Sequence, residues 1–314
     1  MRAMILAAGL GIRLEPLTNI RPKPLFPVLN RPLLGITIEQ LQGMGASRIV
    51  INAHHLANQI ERFIRGERWD LEVKVRVEPE ILGTGGGIKN CADLLRDAPF
   101  FCAINADIYH TFDLRPAISW HTEENNLATL VLCDDPRFNQ VAIDEQGRII
   151  SIGGREVQKS LSPGRVLTFT GIHLISSRLL DSMPSAGFFD IIRYYIELAS
   201  RGEAVRGYQM QGGYWRDIGR IEDYRALHGD LIKGEGSNKP IIHPEAHIAK
   251  GTQIEGICCV GRKTRIAKGV FLKDSIIWDE VVIDTGSVVE ECVVGSGTRV
   301  KGEHRGEVLI PGQI

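Results

Sequence analysis

The sequence predicts an α/β domain, a mixed and mostly parallel sheet with flanking helices, followed by a smaller parallel β-helix. Two patterns point there. From residue 1 to about residue 110, short apolar runs alternate with segments whose apolar residues recur at helical spacing, as in βαβ units. Past residue 240 the period changes to six. Ile242, Ile248, Ile254, Val260, Ile266 and Leu272 are evenly spaced, and after a shift of four residues Ile276, Val282, Val288, Val294 and Val300 continue the series.

In chain order, the expected strands are Met4 to Ala8, Arg48 to Ala53, Val73 to Glu78 and Phe100 to Asn105. Between them, "LLGITIEQLQGMG" and "LANQIERFIRG" carry apolar residues at helical spacing and end in glycine, as helices returning to a strand often do. The opening "MRAMILAAG" turns to glycine before a signal-peptide core is complete, so it reads as the first strand. "KGEGSNKP", residues 233 to 240, breaks the pattern and sets expected domains of 1–233 and 240–314. Beyond it, "IAKGTQ", "IAKGVF" and "VGSGTR" put glycine and small polar residues between inward aliphatics, which suits a solenoid with tight corners. A β-sandwich would call for period-two alternation instead.

With 314 residues, 43% of them hydrophobic, the chain can bury a sizeable core. A formal net charge of -1 argues against a broad electrostatic grip on nucleic acid or on an anionic membrane. Any anionic ligand must be held locally. No stretch approaches the roughly 20 apolar residues of a membrane span. The cysteines, Cys91, Cys102, Cys133, Cys258, Cys259 and Cys292, form no C-x-x-C pair and sit mostly in apolar runs, so a reducing cytoplasm is expected.

The first strand runs into Gly9-Leu10-Gly11-Ile12-Arg13, where backbone N–H groups stand clear of bulky side chains and phosphate oxygens can approach. Neither common nucleotide motif fits. G-x-G-x-x-G would need glycine at Leu14, and a P-loop would need Gly-Lys-Ser/Thr at the loop's end. Arg13 and Lys23 place two cations in one loop, and Pro22 and Pro24 fix the chain on either side of Lys23. An exposed basic turn would carry the same residues.

"LAAGLGIRLEPLT" followed by "PKPLFPV" resembles the signature of the sugar-nucleotide pyrophosphorylases, which join a sugar 1-phosphate to an NTP. The likeness continues through "ILGTGGGIKN", "INAD", "TFTGI" and "GGYWRDIG", over roughly the first 230 residues. By motif it resembles the mannose-1-phosphate guanylyltransferases and the N-acetylmuramate-1-phosphate uridylyltransferases. The resemblance implies a Rossmann-like catalytic domain with a left-handed β-helix of hexapeptide repeats as its appendage. It also implies attack by a sugar phosphate oxygen on the α-phosphorus of the NTP, so the protein mainly aligns and screens anionic groups. Ala8, Gly9 and Gly11 would then bring main chain to the nucleotide, Arg13 would face the leaving pyrophosphate, and Lys23 the α-phosphate. Asp107 and Asp217 would hold Mg²⁺, although Ala106 stands where the family usually has glycine before the aspartate. Gly83 and Thr84, opening "GTGGG", would let base and ribose lie against main chain. Glu78 would meet the base edge, and a carboxylate there accepts two N–H groups from guanine and one from uracil, which places GTP ahead of UTP. Gly171 would abut the sugar.

The sugar-phosphate cation is not evident, because no Glu-Lys-Pro precedes the second half of the site and Lys159 lacks the matching context. His54 and His55 lack a third ligand in sequence. Trp215 serves either as a stacking platform or as core. A catalytically silent regulatory subunit would be marked by loss of Arg13, Lys23 or an aspartate, and all are present. An acyltransferase built on the β-helix could use His243, His247 or His304 as base. The thin β-helix, with Phe271 and Trp278 expected on a flat exposed side, predicts a homo-oligomer assembled through the C-terminal domain. A chain ended near Lys233 keeps every residue assigned to chemistry and is expected to stay active.

Overall fold

The structure, a computed structural model, describes residues 1–158, 164–185, 187–234, 236 and 239–313. Lys159 and part of the 233–240 linker lie outside the described residues. The chain forms two compact units that do not follow the linear boundary: Met1–Gly9 with Thr37–Arg216, and Leu10–Ile36 with Asp217–Ile314.

In the first unit the strand Arg2–Ala7 lies at the centre of the parallel part of the sheet, flanked by Arg48–Ala53 and Phe100–Asn105, with Glu72–Val77 beyond Arg48–Ala53. All four stand within a residue or two of the expected limits. Ala3, Met4, Ile5, Ile49, Val50 and Ile51 are fully buried, as expected for strands covered on both faces. The helices Leu33–Gly43 and Ala57–Gly66 fall where helical spacing put them. Beyond Phe100–Asn105 the sheet turns antiparallel. The long strand Arg165–Ser176 pairs with Phe100–Asn105, Ala128–Cys133 and Val141–Ile143, while Val205–Gln209 lies parallel to Ala128–Cys133. The parallel strands all end on one side, where ligands collect in open α/β sheets.

In the second unit, short strands stack in parallel as a β-helix, among the described residues in sheets of five, four and four strands. Val260, Ile266 and Leu272 point inward as expected. The second half departs from the even spacing. Ile277, Ile283 and Val289 line the core, not Ile276, Val282 and Val288, so the step after Leu272 is five residues rather than four. The corner explains it: Lys273-Asp274-Ser275-Ile276 is one residue shorter than Glu255-Gly256-Ile257-Cys258-Cys259, and Asp274 takes a left-handed conformation (φ 45°) while its carboxylate accepts the Ile257 amide at 2.8 Å. A second step of five after Val289 brings Val294 and Val300 back into the core.

Trp278 is also not where the sequence put it. It is buried, 1% exposed, and packs on Phe26 (ring centroids 4.8 Å apart), while Phe271 is half-buried. The segment Leu10–Ile36 belongs to the same unit as the β-helix. A chain ended near Lys233 therefore keeps Arg13 and Lys23 but loses what their loop packs on. All six cysteines are unpaired, and burial pushes the Cys91 and Cys102 thiols up to about 12. Among the described residues no helix is long and apolar enough to cross a membrane.

Candidate active site

At the carboxyl ends of the parallel strands in the first unit, a cavity of about 230 Å³ is lined by Leu6, Ala8, Gly9, Asn52, Ile81, Gly83, Thr84, Asn105 and Asp107. Three of the four parallel strand ends contribute. Arg2–Ala7 runs into Ala8 and Gly9, Arg48–Ala53 supplies Asn52, and Phe100–Asn105 supplies Asn105 and then Asp107. The Ala106 amide donates to the Leu6 carbonyl at 3.0 Å, which ties the Asp107 turn to the first strand. Beyond its chain neighbours, no atom stands within 4 Å of where a Cβ on Gly9 would sit, so the main chain there is open.

Glu78 does not line this cavity. It is 1% exposed, one carboxylate oxygen accepting from Asn52 Nδ2 at 2.8 Å and the other from the Leu82 amide at 3.4 Å. Asn52 Oδ1 in turn accepts the Ala7 amide at 3.0 Å. A carboxylate, a side-chain amide and the first strand are thus joined behind the wall, with Asn52 as the member that reaches the cavity. His54 Nδ1 bonds the Glu78 carbonyl at 2.8 Å.

The glycines of "GTGGG" are not a loop but the start of the helix Gly83–Asn90. Gly85, Gly86 and Gly87 are small because of packing. A Cβ on Gly85 would lie 2.2 Å from the Phe189 ring, on Gly86 2.5 Å from the Gly187 carbonyl, and on Gly87 2.6 Å from Asn52 Nδ2. The Phe189 carbonyl also accepts the Gly85 and Gly86 amides, so these two donors are spent within the protein. Gly83 and Thr84 alone of the motif reach the cavity, and the Thr84 hydroxyl accepts the Ile191 amide at 3.1 Å.

Gly171 sits in a left-handed conformation (φ 78°) where the pairing of Arg165–Ser176 with Ala128–Cys133 slips between Phe169 and His173. A Cβ there would lie 2.7 Å from Asn105 Nδ2. The neighbour that makes this glycine necessary is therefore Asn105. Trp215 donates to the Thr170 carbonyl at 2.9 Å and meets Phe138 edge-on, centroids 5.9 Å apart.

In the second unit, three charged residues meet around Gly219. Lys23 Nζ is 3.8 Å from Asp217 Oδ1, and a Cβ on Gly219 would fall 2.8 Å from both Arg13 Nη2 and Asp217 Oδ1. Gly11 is held in a left-handed conformation (φ 69°) with Thr18 beneath it, whose hydroxyl donates to the Gly11 carbonyl at 3.3 Å. Arg13, Lys23, Gly11 and Asp217 belong to this unit; Ala8, Gly9, Gly83, Thr84, Asp107 and Gly171 belong to the other, as does Glu78. Sequence reasoning missed Asn52, Asn105 and Gly219. Gly219 lies inside the quoted "GGYWRDIG" and Asn105 inside "INAD", whereas nothing in the sequence marked Asn52.

Among the described residues no group of three or more His, Cys, Asp and Glu side chains is placed to hold a metal ion. His304, weighed as a base, has both ring nitrogens engaged, by Glu307 at 3.0 Å and the Lys301 carbonyl at 3.2 Å.

A family model described as nucleotidyl transferase matches residues 2–234, and one described as GMPPB C-terminal domain matches residues 237–309. The chain is 29% identical to a UTP–glucose-1-phosphate uridylyltransferase of Synechocystis, over 96% of this chain and 84% of that one. It is 32% identical to an N-acetylmuramate alpha-1-phosphate uridylyltransferase of Neisseria meningitidis, over 73% of this chain and 99% of that one. Of solved structures, HddC from Yersinia pseudotuberculosis complexed with GMP-PN matches with a TM-score of 0.60 at 26% identity, covering 72% of this chain and 97% of that one. Since the first of these matches takes in the opening glycine loop, the cavity and the cluster about Gly219 alike, the chain belongs to the nucleotidyl transferase family.

Proposed function

We propose that the protein transfers a nucleotidyl group from GTP or UTP to a sugar 1-phosphate, giving an NDP-sugar and pyrophosphate. The observation that carries the reading is the gathering of Arg13 and Lys23 about Asp217, beside a glycine whose Cβ would crowd the Arg13 and Asp217 side chains. A phosphate oxygen of the sugar attacks the α-phosphorus, the bond to the β-phosphate oxygen breaks, and negative charge moves to the leaving pyrophosphate. Arg13 offers a planar donor fork to the pyrophosphate, where leaving-group charge grows, and Lys23 a compact charge to the α-phosphate under attack. Ala8, Gly9, Gly83 and Thr84 contact base and ribose, and Gly11 offers main chain to the phosphates. Gly171 acts by letting Asn105 take its place toward the sugar.

Mg²⁺ is the proposed ion. The donor set suits it: Asp107 and Asp217 are hard oxygen ligands, too few for a resident all-protein site, which fits an ion that arrives on the triphosphate. When bound, it would screen the phosphate charges. The base preference rests on Asn52 more than on Glu78, because the carboxylate is committed to fixing the amide. An amide offers both a donor and an acceptor, so guanine and uracil are both admitted.

We further propose a cytoplasmic enzyme with catalytic and β-helix regions divided near residues 233–240, self-associating through the β-helix, whose first coil forms the outer edge of all three sheets and exposes Ile242. Light scattering of the full chain tests the last point: a monomer at micromolar concentration rejects it. For the activity, pyrophosphate release is measured with four NTPs against a panel of sugar 1-phosphates. Turnover with GTP or UTP is expected, and no release with any pair would overturn the reading.

A further inference from the structure

Lys23 is bracketed by two anchors on the β-helix. Two residues before it, the Arg21 guanidinium lies 5.0 Å from the centre of the Trp278 ring, donates to Ser296 Oγ at 2.9 Å and stands 3.5 Å from Asp279. Three residues after it, Phe26 is fully buried and meets the same indole edge-on at 4.8 Å. The indole N–H of Trp278 donates to Tyr224 Oη at 3.1 Å, and the Tyr224 hydroxyl donates to the Pro27 carbonyl at 2.5 Å. Farther along, Asn30 Nδ2 donates to the Val260 carbonyl at 2.9 Å, and its Oδ1 accepts from the Cys259 thiol at 3.1 Å. Upstream, Gly295 packs closely on Ile20, a Cβ there falling 2.7 Å from Ile20 Cδ1.

Irregular backbone does not by itself hold a side chain to a fixed place. Pro22 and Pro24 set local φ angles only, and the loop's position has to come from packing. Trp278 touches the chain on both sides of Lys23, and it directly follows the strand Ile276–Ile277, which pairs with Val293–Val294, its own amide donating to the Val294 carbonyl at 2.9 Å. We infer that Trp278 and Arg21 are positioning residues for Lys23, so that the β-helix is a working part of the transfer apparatus and not a separate appendage. The inference rests on the role proposed above for Lys23. The Neisseria relative, matched over nearly its whole length by 73% of this chain, shows that relatives of similar sequence can be much shorter than this chain. The anchoring is then a property of this chain's own loop and coil.

The test uses the full chain. Arg21 is one-fifth exposed, so Arg21→Met removes the clamp without opening a core cavity, and Trp278→Phe keeps the ring contact with Phe26 while removing the N–H to Tyr224. Each is expected to lower kcat by about tenfold or more, with KM for the NTP within about twofold and circular dichroism unchanged. Amide hydrogen exchange over residues 23–28 should quicken in both. Arg21→Lys should recover most of the rate, since an ammonium still reaches the indole face and Ser296. Lys23→Ala is run beside them. If Lys23→Ala is inactive while Arg21→Met keeps the parent kcat, or loses only KM, the inference is overturned. If Lys23→Ala keeps turnover, the role given to Lys23 falls first and the inference with it. Should Trp278→Phe fail to fold, Arg21→Met decides alone.

Discussion

The ammonium of Lys23 stands 3.8 Å from the carboxylate of Asp217, and the Lys23 side chain is only 9% exposed. A cation so enclosed gains from a nearby anion, and under the metal role proposed above the same carboxylate would turn to the ion in the working protein. Asp217→Asn removes that charge while keeping the shape. Turnover is expected to fall by about two orders of magnitude, with the Mg²⁺ concentration for half-maximal rate raised, and Asp107→Asn should behave alike. Near-normal rates in both variants, with intact circular dichroism, would reject the metal assignment.

Gly219→Ala offers a sharper probe of the same cluster. The added methyl would land 2.8 Å from Arg13 Nη2 and from Asp217 Oδ1. Arg13 is flexible and can swing aside, so the stability cost should stay within the roughly 1–3 kcal/mol of ordinary overpacking. The rate should suffer far more. A kcat loss of about tenfold or greater is expected with a small change in melting temperature; an unchanged kcat would mean that Arg13 does not work from the position seen here.

Replacing Glu78 with glutamine puts a donor among groups that already donate. Asn52 Nδ2 and the Leu82 amide both give hydrogens to the Glu78 carboxylate, and an amide can accept on only one side. The expected cost is about 1–3 kcal/mol, the price of a buried polar group left without a partner. Freed from its carboxylate, Asn52 can turn over, so the ratio of kcat/KM for GTP and UTP should shift toward one. Urea titration and steady-state kinetics check the two parts separately. A stable variant with an unchanged ratio would remove Asn52 from base recognition.

Much of the fold was legible because burial writes itself plainly into sequence. Arg48–Ala53 and Phe100–Asn105 are apolar on both faces, and the hexads between Ile242 and Leu272 repeat without interruption. The slip after Leu272 was not legible, because a corner shortened by one residue leaves aliphatics at both candidate positions, Ile276 and Ile277 among them. Glycines misled in a different way. Gly9 is open toward a cavity and Gly85 is pressed by Phe189, yet the letter is the same, and only the neighbour decides between ligand approach and packing. Trp278 read as a surface residue because its partner, Phe26, lies far away in the chain. Asn52 and Asn105 stand at or next to strand ends as ordinary polar residues would, and their reach into the cavity follows from Glu78 and Gly171, which hold or make room for their amides.

Four buried histidines set the acid limit of the fold. Burial lowers His173 to about 3, and His110, His121 and His228 to about 4; for His228, hydrogen bonds to the Tyr224 and Pro27 carbonyls oppose the shift only in part. His173 Nδ1 bonds Tyr195 Oη at 2.7 Å and His121 Nδ1 bonds Thr129 Oγ1 at 2.8 Å, so both are satisfied while neutral. In the unfolded chain each titrates near 6.5. Below that pH the unfolded state binds more protons than the folded one, so stability is full above about 6.5 and declines as pH falls toward 4. Each group contributes a slope of up to about 1.4 kcal/mol per pH unit in that window. Salt-bridged carboxylates such as Asp97, held low by hydrogen bonds from Arg2, lose their contribution only below about pH 4, which leaves the upper window to the histidines. Urea midpoints at pH 7.5, 6.5, 5.5 and 4.5 should therefore fall slightly over the first step and steeply after it, and His173→Gln should shallow that drop by about a quarter even if it lowers stability at pH 7.5. A flat profile down to pH 4.5 would show that these side chains are not held neutral in the folded protein.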